Sequence, residues 1–242
     1  MTTTMPTTEM TNPSSTRAPA GRVLPAARLG GIGGLVFTAS ILVQNILRAS
    51  APQNDATPEK IISWYGDHRG GSLALAVLFP IGAAGIAAFV ASLVAQARGA
   101  ARAPAVIGGL SAASLVAMFG VVTATDLALS TYVHRGAADP SVVSALWLTH
   151  MSLFGVNLVF IGITLAALTT ACTMMGLLRP IWQKVGFVGA AALAVGAACT
   201  PAILDASAVL AIPMAGFLVW GVFVVAASIS LLRKPATDRA HD

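Results

Sequence analysis

Residues 121–135 read VVTATDLALSTYVHR and place one carboxylate, Asp126, near the end of an apolar run that begins at Val106. Runs of about 18 or more apolar residues mark membrane-spanning helices, because about 20 residues at 1.5 Å each cross a hydrocarbon core of about 30 Å. The run 106–129 has that length, and five others share it: 29–47, 72–97, 151–175, 185–204 and 206–232. A charged side chain inside such a run costs roughly 2.5–3.5 kcal/mol at the helix centre and less toward an interface. Asp126 is therefore expected either to face the bundle beside a partner or to sit at a helix end that water reaches.

Composition gives the same fold class. Of 242 residues, 56% are hydrophobic and only 10% charged, too little polar surface to coat a water-soluble globule of this size. The expected fold is all-α, a polytopic membrane bundle of six transmembrane helices. A pI near 9.9 suits a nucleic-acid binder, but the basic residues sort by membrane side instead. With the amino terminus inside, Arg17, Arg22, Arg28, Arg98, Arg102, Arg179, Lys184, Arg233, Lys234 and Arg239 fall on the cytoplasmic side. These ten stand against four outside, Arg48, Lys60, Arg69 and Arg135. The bias predicts both termini in the cytoplasm, a bacterial plasma membrane as the setting, and no nucleic-acid partner.

Around the six-helix domain, 29–232, lie two expected tails. Residues 1–28 are rich in Thr, Ser and Pro with one acid, Glu9, and read as a disordered cytoplasmic segment without a secretory signal. Residues 233–242 are short and charged. In the loop 49–71, Thr57-Pro58-Glu59 reads as N-cap, first-position proline and first-turn acid of a short helix on the outer surface. Ile61, Ile62 and Tyr65 share one face of it, expected to rest on the membrane. Asp139-Pro140 repeats the start signal, so the fourth helix can begin well before its apolar run.

The glycine-rich first span, followed by TPEKIISWYGDHRGG (57–71) and an Ala-rich second span, resembles uncharacterised six-helix integral membrane proteins of high-GC actinobacteria. The resemblance implies fold and location, and it carries over no functional residue.

On this topology Gln44, Asn45, Arg48, Asp126, His150, Asn157 and Asp205 fall in or just above the outer leaflet and form the candidate polar site, with Thr123, Thr125 and Thr200 at the same depth. Arg48 is the expected partner of Asp126, since both lie at the outer ends of spans running the same way; Asp205 is the competitor. His134 and His150 are weak metal candidates, because no HxxxH or HExxH spacing fixes two ligands on one helix face. No cofactor is expected. Cys172 and Cys199 lie in apolar runs outside any CxxC pair, as small packing residues do. A Walker loop, a dinucleotide fingerprint, a lysine within a span and haem-ligating histidines deep in helices are all missing from the sequence.

Two functions fit this pattern. The first is a non-catalytic accessory or assembly subunit that packs against a membrane partner through small-residue helix faces; in the sequence, Gly30 and Gly34 on the first span let another helix approach closely, and Ala84, Ala88 and Ser92 share one stripe of the second. The second is a permease or binding protein for a small solute entering an outer polar pocket. A metal-dependent enzyme at the outer face is a remote third. The uncharged central layers of all six runs argue against an ion-driven cycle centred at mid-membrane.

Overall fold

The computed structural model describes residues 26–136, 138–205 and 208–233. The tail expected at 1–28 lies outside the described residues up to position 25, as does 234–242, including Arg17, Arg22, Lys234 and Arg239. Eight helices are described: α1 Ala26–Leu47, α2 Pro58–Asp67, α3 Arg69–Gln96, α4 Arg102–His134, α5 Pro140–Met174, α6 Ile181–Ala198, α7 Thr200–Leu204 and α8 Ala211–Arg233. Six of them, all but α2 and α7, are long and apolar enough to cross a membrane, which makes the chain a multi-pass membrane protein. No strand occurs among the described residues.

The six long helices close a ring in chain order. α1 packs on α3 and α8, α4 lies between α3 and α5, and α6 lies between α5 and α8, with α5 also touching α8 across the middle. α1 and α4 both run toward the end of the bundle that carries α2, called here the α2 end. Large side chains such as Leu42, Ile46, Val77, Leu110, Val188 and Leu218 are exposed around the outside, which suits lipid as the solvent. Inside, Phe37, Phe89, Trp220 and Phe223 are buried and meet edge to face, Phe37 on Trp220 at 5.1 Å and Phe89 on Phe223 at 6.4 Å.

Glycine sets the spacing of α1. A Cβ at Gly33 would lie 2.6 Å from the Gly85 carbonyl oxygen of α3, and one at Gly31 would lie 2.8 Å from the Ser228 carbonyl oxygen of α8. Gly30 abuts Ser92 of α3, and Gly34 abuts Ser228 of α8. The GxxxG pair, which reads in the sequence as letting another helix approach closely, is met by α3 and α8 of the same chain.

Several boundaries differ from the sequence reading. α4, at 33 residues, extends past the apolar run 106–129 to His134, whereas α5, at 35 residues, starts at Pro140 as its sequence indicates; each spans about 50 Å. Asp139 starts α5 as expected: its carboxylate accepts the Ser141 N–H and the Ser141 hydroxyl, both at 2.7 Å. Those bonds, the hydroxyl's first, hold that carboxyl below the usual range. Thr57 takes the extended backbone of a cap before Pro58, but its side chain makes no capping bond.

The run 185–204 is not one helix. α6 ends at Ala198, because Pro201 has no N–H to offer the Ala197 carbonyl four residues back and its ring crowds that oxygen. The Thr200 hydroxyl donates to Ala197 O at 2.8 Å in its place. The last span begins at Ala211 and not at 206, after a 3-10 turn, Ala208–Leu210. α2 does not lay its apolar face on a membrane: Ile61 and Tyr65 are buried in a second core with Leu129, at the end of the run 106–129, and with Val143 and Trp147, on the part of α5 that precedes its run. Burial of Ile61 alone favours that docking by about 1.5–3 kcal/mol.

Candidate functional site

Four elements converge on Asp126. Arg48 sits one residue past α1, its N–H still bonded to Gln44 O at 3.1 Å, so its side chain leaves the helix at a fixed angle toward α4. Asp126 lies eight residues short of the end of α4, about 12 Å below it. His150 lies ten residues into α5 on the same buried stripe as Val143 and Trp147, and Tyr65 arrives from the docked α2.

Arg48 Nη2 and Asp126 Oδ1 form an ion pair. The Tyr65 hydroxyl donates to that same oxygen at 2.6 Å. Arg48 Nη1 lies 2.9 Å from His150 Nε2. A guanidinium only donates, so Nε2 accepts and the imidazole proton sits on Nδ1, a placement assigned from the network. Nδ1 then faces Val122 O at 3.2 Å and Thr125 Oγ1 at 3.1 Å. Trp147 stacks on the imidazole at 5.7 Å and 11°, and Tyr65 meets Trp147 edge-on at 6.4 Å. The cluster is sealed on one side and open on the other: Asp126, His150 and Tyr65 are at most 2% exposed, whereas the Arg48 side chain is 30% exposed.

Burial pushes the Tyr65 phenol above its usual range, and the negative charge and hydrogen bond of Asp126 push the same way, against a smaller opposing effect of Arg48. A phenol whose folded-state pKa is raised contributes stability that is complete below the unfolded value of about 10 and is lost as pH rises beyond it. Two expectations follow. Tyr65→Phe should lower stability by about 1.5–3 kcal/mol at neutral pH, as loss of a hydrogen bond to a charged group does. The wild-type chain should also lose thermal stability more steeply than Tyr65→Phe as pH is raised above about 10. Parallel curves for the two proteins, followed by circular dichroism, would show that the phenol is not held by the carboxylate.

Two open chambers meet at Arg48. The smaller, about 100 Å³, lies between α1, α3, α4, α5 and α8 and is lined by Gln44, Asn45, Arg48, Thr123 and Asp126 over Phe119. The larger, about 310 Å³, lies between α1, α5, α7 and α8, and most of its wall is apolar, including Met151, Leu158, Ile203 and Leu210. Asn45, Arg48, Phe154, Met214 and Phe217 line both. Phe119 and Phe154 come one to two turns deeper than Asp126 and His150, so aromatic rings floor the chambers above the bundle core. Asn54 Nδ2 donates to Ile203 O at 2.9 Å and ties the loop after α1 over the larger chamber.

Of the residues singled out in the sequence, Gln44, Asn45, Arg48 and Asp126 share one chamber, and His150 stands behind Arg48. The hydrated helix end expected as one setting for Asp126 is not found: the carboxylate is buried beneath α2. Asp205 does not compete for Arg48; it is exposed at the end of α7. Asn157 lies about 10 Å further along α5 than His150, fully buried, lining neither chamber, with no hydrogen-bond partner for either amide atom. His134 Nδ1 rests 2.8 Å from Ser130 O within α4, away from His150. Among the described residues, no three His, Cys, Asp or Glu side chains converge as metal ligands would.

The sequence reading missed Tyr65 and Trp147 as members of the cluster, and the floor of Phe119, Phe154 and Phe217. One signal for Tyr65 was present: a tyrosine in line with Ile61 on an apolar face brings a hydroxyl that needs a partner once buried. The chain matches no protein-family model, no curated protein and no solved structure, so the case for its function rests on the chemistry of this cluster.

Proposed function

We propose that this is a non-catalytic multi-pass protein of a bacterial plasma membrane that binds, and by extension admits, a small solute through a vestibule on the outer side. The observation that carries the reading is the one-sided seal on the ion pair. Its carboxylate is 2% exposed beneath Tyr65 and α2 and reaches only the smaller chamber, while its guanidinium is 30% exposed and lines both. A pair kept only for structure has no need of such chambers; concave, mostly apolar spaces with a few fixed polar groups are what ligand sites use. Residues 29–232 then form a single transmembrane domain between cytoplasmic tails. The ten-to-four distribution of Lys and Arg supports both termini inside and α2 outside.

The accessory-subunit reading draws on small-residue helix faces, and those of α1 are occupied by α3 and α8. Purification in mild detergent followed by native mass spectrometry separates the two functions. The vestibule predicts the chain alone with a retained small molecule, and loss of that molecule in Met214→Trp, which fills the wall common to both chambers. A stoichiometric partner polypeptide, with no small molecule on the wild-type chain, would overturn it.

A further inference from the structure

We infer that the vestibule is built for a small amphiphilic monoanion, a carboxylate with an apolar body, anchored by Arg48. This rests on the solute-binding reading and names the ligand class it would take. Arg48 has more donors than its neighbours accept. A guanidinium has five N–H donors. Two are spent, one on Asp126 and one on His150, and no other acceptor among the described residues takes the remaining three. The side chain that carries them lines both chambers.

The charged groups divide between the two chambers. Asp126, whose Oδ1 serves both Arg48 and Tyr65, lines only the smaller one. Among the described residues that line the larger chamber, Arg48 is the one charged residue, beside Asn45, Asn54 and Thr200; Asn45 Nδ2, Asn54 Nδ2 and the Thr200 hydroxyl donate to backbone carbonyls. A cation entering the larger chamber therefore meets a guanidinium and, among those residues, no carboxylate. A ligand with acceptors meets a planar fork of donors, the geometry that suits a carboxylate. Because Asp126 balances the charge of Arg48, the site tolerates a single added negative charge better than two, which favours a carboxylate over a phosphate dianion.

Size and lining describe the rest of the ligand. The larger chamber, about 310 Å³, is roughly twice the ~150 Å³ that accommodates benzene in an apolar cavity. Met151, Leu158, Leu210, Pro213 and Met214, with Phe154 and Phe217, surround it. The body that fits is a short hydrocarbon chain or a single ring on a short linker, with its charged head at Arg48.

The test compares three probes with the same body on the full chain in lipid nanodiscs by titration calorimetry: 3-phenylpropanoate, 3-phenylpropanamide and 3-phenylpropylamine. The inference predicts saturable binding of the carboxylate, at least tenfold tighter than the amide, with the amine weaker still. In the double variant Arg48→Gln/Asp126→Asn, which removes both charges and keeps hydrogen-bonding groups in place, carboxylate and amide should bind alike. Met214→Trp should weaken all three. If wild-type protein binds carboxylate and amide equally, or prefers the amine, and Met214→Trp abolishes that binding, the ligand class is wrong while the solute-binding reading stands. If none of the three binds, both fall. If the carboxylate preference survives intact in the double variant, Arg48 is not the anchor and the inference is overturned.

Discussion

Asp126→Ala is expected to lower the stability of the detergent-solubilised protein by about 3–5 kcal/mol, the loss typical when one member of a buried ion pair is removed. The carboxylate holds Arg48 from α1 and Tyr65 from α2 on one oxygen. Its removal leaves a buried phenol without its acceptor and a guanidinium, 30% exposed, without its counter-ion. Arg48→Ala should also be costly, because it leaves a carboxylate that is only 2% exposed without its counter-ion. The double variant should lose much less than the sum of the two, since no unpaired charge remains. Asp126→Asn keeps an acceptor for both neighbours and should fall between wild type and alanine. An exposed pair would be worth at most about 1 kcal/mol, so the expected losses lie well outside that range. Strictly additive losses in unfolding titrations would show that the two side chains do not interact.

The other large effect is expected where α1 crosses α3. Gly33 and Gly85 face each other backbone to backbone: a Cβ on either would lie 2.6 Å from the carbonyl oxygen of the other. No flexible side chain stands between them to rotate away. Gly33→Leu or Gly85→Leu should therefore prevent the folded monomer from accumulating, and alanine at either position should cost about 1–3 kcal/mol, as overpacking does. Gly66 provides the contrast. It lies within α2 with nothing within 4 Å of an added Cβ, so Gly66→Ala should raise stability by about 0.5–1 kcal/mol through helix propensity alone. Size-exclusion profiles and melting curves of the three alanine variants check the order; a tolerated Gly33→Leu would contradict the packing of α1.

The parts of this structure that were legible in the sequence are those fixed by length and depth. Six apolar runs gave six long helices, and the matched depth of Arg48 and Asp126 on two helices running the same way was enough to pair them. What depth cannot encode is how a connecting helix docks. Tyr65 reads as part of an amphipathic stripe, and whether that stripe meets lipid or protein depends on how α2 packs against the ends of α4 and α5, which hydropathy does not report. Asp205 was drawn toward the site because the run 185–204 stays apolar through Pro201; the proline ends α6 and leaves Asp205 on the far side of the break, at the surface. Asn157 shares a stripe with His150 at a spacing of seven residues, and only the packing shows that it lies below the chambers, among residues that offer it no hydrogen bond.

The central claim is a vestibule at the α2 end that opens to the outside of the cell. Single cysteines at Thr123 and Thr200, which line the smaller and larger chamber, test it directly when treated in intact cells with a membrane-impermeant thiol reagent. Ala100, exposed at the opposite end of the bundle, serves as the control, with Cys199 replaced by serine throughout. The account predicts that both vestibule cysteines are modified from outside, more slowly when Met214→Trp fills the shared wall, and that position 100 is modified only after the cells are opened. Modification of position 100 but of neither 123 nor 200 in intact cells would contradict it.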